Sequence, residues 1–201
     1  MQNDRVRSSA TDVPLLLTPD FLDPDLCTRV RGAMDRGESD SAAIIGTAIV
    51  RDEGVRRTRS IEIDLPTLAM VEQCLDRLRP SIERAFGVPL GQREGTGFLR
   101  YEPGGFYLTH RDRGVVEGWP AAASRSVAIV VFLNSVRDTS GRGDFDGGSL
   151  CLYPESRDAV EIRPRAGLLA AFPADVLHEV LPVRNGVRDT AVDWFYDSTE
   201  P

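Results

Sequence analysis

The segment Tyr107-Leu108-Thr109-His110-Arg111-Asp112 decides how the chain is read. In an extended strand, residues i and i+2 project to the same face. His110 and Asp112 therefore point the same way, an imidazole and a carboxylate a few ångströms apart. Outward from this segment, short apolar stretches alternate with Gly, Pro and Asp. Strands are expected at residues 97–101, 107–112, 126–133, 148–153, 159–163, 167–172, 179–182 and 187–196. Eight short strands in about 100 residues, with no helix between them, predict a sandwich or jelly-roll barrel. Two longer loops, residues 113–124 and 136–147, are rich in Gly, Ala, Arg and Asp and have the length of lids or substrate-binding segments.

Upstream the pattern changes to helices. Residues 1–12 are polar and read as a flexible N-terminal arm. A strand is expected at residues 13–18, then Asp23-Pro24 caps a helix that runs to about Arg36, with Leu26, Val30 and Met34 on one face. Residues 37–40 break it, and residues 42–50 and 59–63 are strand candidates. A second helix runs from about Pro66 to about Phe86, its apolar stripe traced by Leu68, Val71, Leu75, Leu78, Ile82 and Phe86. With no repeat or linker, residues 13–201 form a single domain: helical support at residues 13–96 and a metal-binding β core at residues 97–197.

Composition removes several classes of chemistry. The chain has 201 residues, 41 % of them hydrophobic, and a net charge of −7. Its 24 basic residues are all Arg, which rules out lysine Schiff bases and a P-loop lysine. The acidic balance argues against nucleic acid and against anionic membranes as partners. The first residues lack the apolar core of a signal peptide, and the longest apolar run, Val127 to Leu133, falls short of the roughly 20 residues of a membrane helix. Three widely spaced cysteines with no CxxC pair suggest neither a disulfide framework nor a zinc ribbon. A cytoplasmic location with reduced thiols is expected.

Only two histidines exist, so any imidazole site is built from His110 and His178. His178 opens a short strand in the second half of the β region, where it can supply a third ligand beside His110 and Asp112. Two His and one carboxylate on one face of a metal, with the remaining positions open, form the facial triad of non-haem iron sites. A His-x-Asp pair alone is weak evidence and is equally read as a hydrogen-bonded strand end. Alternation on the last strand puts Arg188, Thr190, Val192, Trp194 and Tyr196 on one face, with Asp189, Ala191, Asp193 and Phe195 on the other. An Arg among Val and Trp inside a barrel needs an anion, which a dicarboxylic co-substrate can provide bidentately. The plain alternative is a surface Arg on an edge strand.

Several stretches together resemble the prolyl 4-hydroxylase-like branch of the Fe(II)/2-oxoglutarate-dependent oxygenases. They are Tyr101-Glu102-Pro103-Gly104-Gly105-Phe106-Tyr107-Leu108-Thr109-His110-Arg111-Asp112, then Phe145-Asp146-Gly147-Gly148-Ser149-Leu150, then residues 164–172, then His178-Glu179-Val180-Leu181-Pro182-Val183, then Gly186-Val187-Arg188 with Trp194. The opening Asp20-Phe21-Leu22-Asp23-Pro24 is also similar. The resemblance covers roughly residues 14–197. It implies a double-stranded β-helix core (jelly-roll, cupin-like) with flanking helices. It also implies His110, Asp112 and His178 as iron ligands, and Arg188 on the distal carboxylate of 2-oxoglutarate where many relatives carry Lys. Tyr101 matches a Tyr that assists that carboxylate, Phe132 stands where some relatives have a second Tyr, and Arg125 matches a basic position near the iron, read here as a partner of Asp112. The implied cofactors are Fe(II), 2-oxoglutarate and O2, with ascorbate as an optional reductant. The implied reaction is hydroxylation of an unactivated C–H with release of succinate and CO2. Related halogenases have Gly or Ala at the position of Asp112, so its presence favours hydroxylation.

The substrate is read more coarsely. Arg56, Arg57 and Arg59 form a basic cluster suited to a carboxylated substrate such as an amino acid, or equally an exposed charged turn. A small chain without an extra binding domain fits a small-molecule hydroxylase. The alternatives are a hydroxylase of prolyl residues in a protein and a non-catalytic metal-binding sensor.

Overall fold

The computed structural model describes residues 14–198 apart from residues 43, 46–48, 51, 116–118 and 156–157. The expected arm at residues 1–12 lies outside the described residues, as do parts of the 42–50 and 113–124 segments. The chain opens with β1 (Leu16–Thr18), α1 (Pro24–Met34) and β2 (Ser39–Ser41). A small hairpin of β3 (Ile44–Ile45) and β4 (Ile49–Val50) precedes β5 (Arg56–Arg57), β6 (Arg59–Ile61) and α2 (Leu65–Phe86). Next come β7 (Leu90–Arg93), β8 (Gly97–Tyr101), β9 (Phe106–His110), a 3-10 turn at Pro120–Ser124 and β10 (Arg125–Phe132). The last part holds β11 (Asp146–Gly147), β12 (Leu150–Tyr153), β13 (Val160–Ile162) and β14 (Leu169–Pro173). β15 (Leu177–Val180), β16 (Val183–Asn185) and β17 (Arg188–Asp197) complete it.

Both helices begin as their sequences dictate. The Asp23 carboxylate accepts from the Leu26 N–H at 2.8 Å, and that of Asp64 from Thr67 at 2.9 Å, satisfying donors that a first turn leaves open. Gly87 ends α2 with φ 69°, a conformation that Gly adopts without Cβ strain.

The strands form a large antiparallel sheet in the order β1-β14-β10-β17-β8-β6-β2, with β7 added on β17, and a smaller one in the order β13-β12-β15-β9-β5. Alternation along β10 separates the two sides of the large sheet. Val127, Ile129 and Val131 pack with Leu26, Val30, Val71, Leu75 and Ile82 of the helices, while Ala128 and Phe132 pack with Leu150 and Leu152 of the small sheet. Two facing sheets with helices against the outer side of the larger make the mostly β jelly-roll expected from the strand pattern. No helix among the described residues is long and apolar enough to cross a membrane.

Two expectations need correcting. The segment at residues 42–50 is not one strand: β3 and β4 fold back on each other. The strand expected at 107–112 stops at His110. The face of β17 carrying Asp189 and Asp193 is covered by the helices, and both carboxylates are fully buried. Each is compensated there. Asp189 accepts from Arg100 Nε at 2.7 Å and Arg31 Nε at 3.0 Å, and Asp193 from Arg93 at 2.6 Å and the Thr96 hydroxyl at 2.8 Å. The strands β2, β5, β7 and β16 escaped the sequence reading because they are two to four residues long and polar, with no alternation to detect.

Leu75 lies at the centre of the helix–sheet layer with 1 % of its surface exposed. Leu75→Ala should lower the unfolding free energy by roughly 2–5 kcal/mol. Urea denaturation followed by circular dichroism measures this, and metal affinity should stay at the wild-type value.

Candidate metal centre

The register between β15 and β9 sets His178 directly opposite His110, with ring centroids 4.1 Å apart. Asp112 follows the end of β9 by two residues. Its main-chain N–H and that of Arg113 both donate to the Ala174 carbonyl, at 2.9 and 2.8 Å, so the chain leaves the ladder with β15 and turns at this point. The turn delivers what the strand reading expected of alternation. Asp112 Oδ1 lies 3.5 Å from His110 Nε2, and Oδ2 lies 3.5 Å from His178 Nε2. The three ligand atoms fall within 4.8 Å of one another.

The imidazoles are oriented for coordination. His110 Nδ1 sits 2.8 Å from the Leu108 carbonyl and His178 Nδ1 sits 2.9 Å from the Val176 carbonyl. A carbonyl only accepts, so Nδ1 carries a proton in each ring and Nε2 is the atom turned toward the centre. Burial pushes the His178 pKa down to about 4, against the pull of Asp112, so the ring is neutral at physiological pH. Burial opposes ionisation of Asp112, but the two histidines outweigh it and hold the carboxyl below the usual carboxylate range. Two imidazoles with Nε2 toward the centre, one ionised carboxylate and room beside them suit a divalent iron ion.

His110 is further packed by Tyr107, whose ring stacks on it at 3.5 Å and whose hydroxyl is pushed up to about 12 by burial. The Arg56 guanidinium lies 4.6 Å from the Tyr107 ring, placed there by the β5–β9 register that pairs Arg56 with Tyr107. Of the three arginines in the sequence cluster, Arg56 lines the cavity, Arg57 lies over Phe106, and Arg59 bonds to exposed Ser39.

The cavity around the trio has about 650 Å³ of space including its mouth, and Arg188 and Tyr101 line it. Arg188 is 1 % exposed, and its Nε makes no hydrogen bond. Its charge forms no ion pair among the described residues; its polar contacts are Thr190 Oγ1 at 3.5 Å and the Tyr101 hydroxyl. Burial lowers its pKa for the same reason. The guanidinium lies 4.8 Å from the Tyr101 ring and 5.3 Å from that of Phe132. A buried cation between aromatic walls, facing a cavity, is costly until an anion reaches it. Phe132 is fully buried, and it walls the guanidinium without lining the cavity. Gly148 makes room for Arg188: at φ 67°, a Cβ there would meet Arg188 Cδ at 2.8 Å.

Arg125 reaches Asp112, though at the main chain. Its guanidinium donates to the Asp112 carbonyl at 3.1 Å, pairs with Glu94 and lies 3.9 Å from the Trp194 ring. Trp194 Nε1 is buried near the Asp112 carboxyl, whose pKa it helps to lower, though the two do not reach full hydrogen-bond geometry. Sequence reasoning missed Tyr107 and Glu94. Tyr107 could have been found from its place three residues before His110, whereas Glu94 carries no local signal. No described residue of 113–124 or 136–147 lines the cavity.

The family model described as the 2OG-Fe(II) oxygenase superfamily matches residues 96–196, half of the chain. The chain belongs to the 2OG-Fe(II) oxygenase superfamily. A PKHD-type hydroxylase from Synechococcus sp. (strain JA-2-3B'a(2-13)) is 32 % identical over 94 residues, covering 47 % of this chain and 39 % of the relative. One from Burkholderia ambifaria (strain ATCC BAA-244 / DSM 16087 / CCUG 44356 / LMG 19182 / AMMD) is 26 % identical, covering 90 % of this chain and 77 % of the relative. The matched part is thus about two-fifths of the length of the cyanobacterial relative. Among solved structures, a Pseudomonas putida prolyl-4-hydroxylase is similar with a TM-score of 0.73 and 25 % identity, over 92 % of this chain and 94 % of that one. The superfamily's iron fits the donor set of His110, Asp112 and His178.

Anaerobic addition of Fe(II) and 2-oxoglutarate should raise a weak visible charge-transfer band. His178→Ala should abolish it, and Gly148→Ala should weaken 2-oxoglutarate binding by about tenfold or more by displacing Arg188.

Proposed function

We propose that the chain is an Fe(II)/2-oxoglutarate-dependent hydroxylase of an unactivated C–H in a small carboxylated metabolite, an amino acid or a close relative. The observation that carries the reading is the buried Arg188 facing the cavity beside the His110, Asp112 and His178 trio. In this reading the three side chains hold the iron, each imidazole locked by its Nδ1 bond to a carbonyl. Arg188, helped by Tyr101 and Thr190, binds the distal carboxylate of 2-oxoglutarate and orients it. Bound iron with 2-oxoglutarate supplies activation of O2, one oxygen atom entering succinate and the other the substrate C–H as CO2 leaves. The cavity wall keeps bulk water from the reacting centre and holds one C–H in position.

The carboxylated substrate is supported by Arg56 and Arg111, two basic side chains that line the cavity, Arg111 also reaching Glu155 at 3.6 Å. A second reading, a prolyl residue in a peptide, is favoured by the likeness to the prolyl-4-hydroxylase from Pseudomonas putida. Succinate formation across free amino acids and proline-containing peptides separates them. Stimulation by a free carboxylated metabolite supports the first reading, stimulation by peptides alone supports the second, and no succinate with any of them contradicts both. Arg56→Gln should raise KM for the carboxylated substrate by roughly ten- to a hundredfold, leaving succinate formation without substrate unchanged.

A further inference from the structure

Asn134 lies outside the cavity and next to its most unusual residue in space. β10 pairs with β17 as far as Phe132 opposite Thr190, and one further main-chain bond, from the Leu133 N–H to the Asp189 carbonyl at 3.0 Å, ends the ladder. On its other side, β17 is held by β8, where Tyr101 is the partner of Arg188. On the β10 side, past that last bond, the Asn134 side chain continues the pairing across Arg188. Its amide Nδ2 donates to the Val187 carbonyl at 2.7 Å, and its Oδ1 accepts from the Asp189 N–H at 3.0 Å. The two partners flank Arg188 on either side. Because a carbonyl accepts and an N–H donates, the orientation of the amide is fixed by its partners. Asn134 is 2 % exposed, so water does not compete for these bonds.

We propose that Asn134 is a positioning residue for Arg188: its amide extends the strand pairing past the last ladder bond, clamps the main chain on both sides of Arg188, and sets where the guanidinium meets the distal carboxylate of 2-oxoglutarate. The inference rests on the reading of Arg188 as the 2-oxoglutarate anchor. A ligand chelated at one end has a fixed reach at the other, so the cation must be placed to a fraction of an ångström. Arg has many rotamers, and its placement here comes from three constraints. Asn134 holds the main chain, Gly148 leaves room at Cδ, and Tyr101 and Phe132 wall the guanidinium. Asn134 acts on the main chain from the β10 side, beside the Leu133 N–H that bonds the Asp189 carbonyl, and is the one whose side chain spans both neighbours of Arg188. Its amide bonds Val187 and Asp189 and not the metal trio, so its effect should fall on one end of the co-substrate only.

The test measures dissociation constants by calorimetry for three probes: Co(II) on the metal-free chain, then 2-oxoglutarate and pyruvate, a 2-oxo acid without a distal carboxylate, on the chain loaded with Co(II). Asn134→Ala removes both bonds, and Asn134→Asp keeps size and the acceptor while removing the donor to Val187. In both variants 2-oxoglutarate binding should weaken by about tenfold or more, while Co(II) and pyruvate bind as in the wild type. Equal weakening of pyruvate and 2-oxoglutarate, or no weakening of either, would overturn the proposal. Arg188→Leu, measured beside them, separates the two levels. If it fails to weaken 2-oxoglutarate selectively, the anchor reading falls and the role of Asn134 with it. If it does weaken 2-oxoglutarate selectively while the Asn134 variants do not, only the positioning role falls.

Discussion

A guanidinium that folding buries, with no counter-ion among the described residues, organises this molecule. Arg188 begins the longest strand, under Gly148, between Tyr101 and Phe132, with Nε left without a hydrogen bond. A natural chain tolerates such a group when a ligand completes it, since an uncompensated buried charge costs several kcal/mol. The next residue shows the contrast. Asp189 is equally buried, and three hydrogen bonds from two arginines satisfy it. Adjacent positions of one strand thus carry two buried charges, one closed by the protein on the helix side and one left open on the cavity side.

The metal trio depends on the same sheet-against-sheet geometry. The small sheet sets His110 opposite His178, and the Ala174 carbonyl draws the chain after β9 so that Asp112 faces both. Arg125, which starts a strand of the large sheet, fastens the Asp112 carbonyl and is itself neutralised by Glu94. Each sheet therefore contributes one part of the proposed site: the small sheet and the turn after β9 supply the His and Asp donor atoms, and the large sheet supplies Arg188 and the brace on Asp112.

Much of this was legible in the sequence, for identifiable reasons. Two histidines and no lysine left one imidazole pair and an Arg as the only anchor type, and alternation on the last strand placed Arg188 inward. The helix cap at Asp23 was readable because capping is local. Alternation put Asp189 and Asp193 on one face but not what lies on it, since α1 and α2 are brought over that face only by tertiary packing. Asp112 reached the site by a turn instead of a strand, because the Ala174 carbonyl takes the N–H groups that a longer ladder would have used. Glu94 and Asn134 left no trace in the sequence pattern, since their partners lie 31 and about 54 residues away and only the register brings them together.

The most direct measurement is a crystal structure of the full chain with Mn(II) in place of Fe(II) and with 2-oxoglutarate. The account predicts the metal on His110 Nε2, His178 Nε2 and the Asp112 carboxylate, with the distal carboxylate of 2-oxoglutarate paired to Arg188. A metal bound elsewhere, or a distal carboxylate turned toward Arg56 with Arg188 left bare, would contradict it.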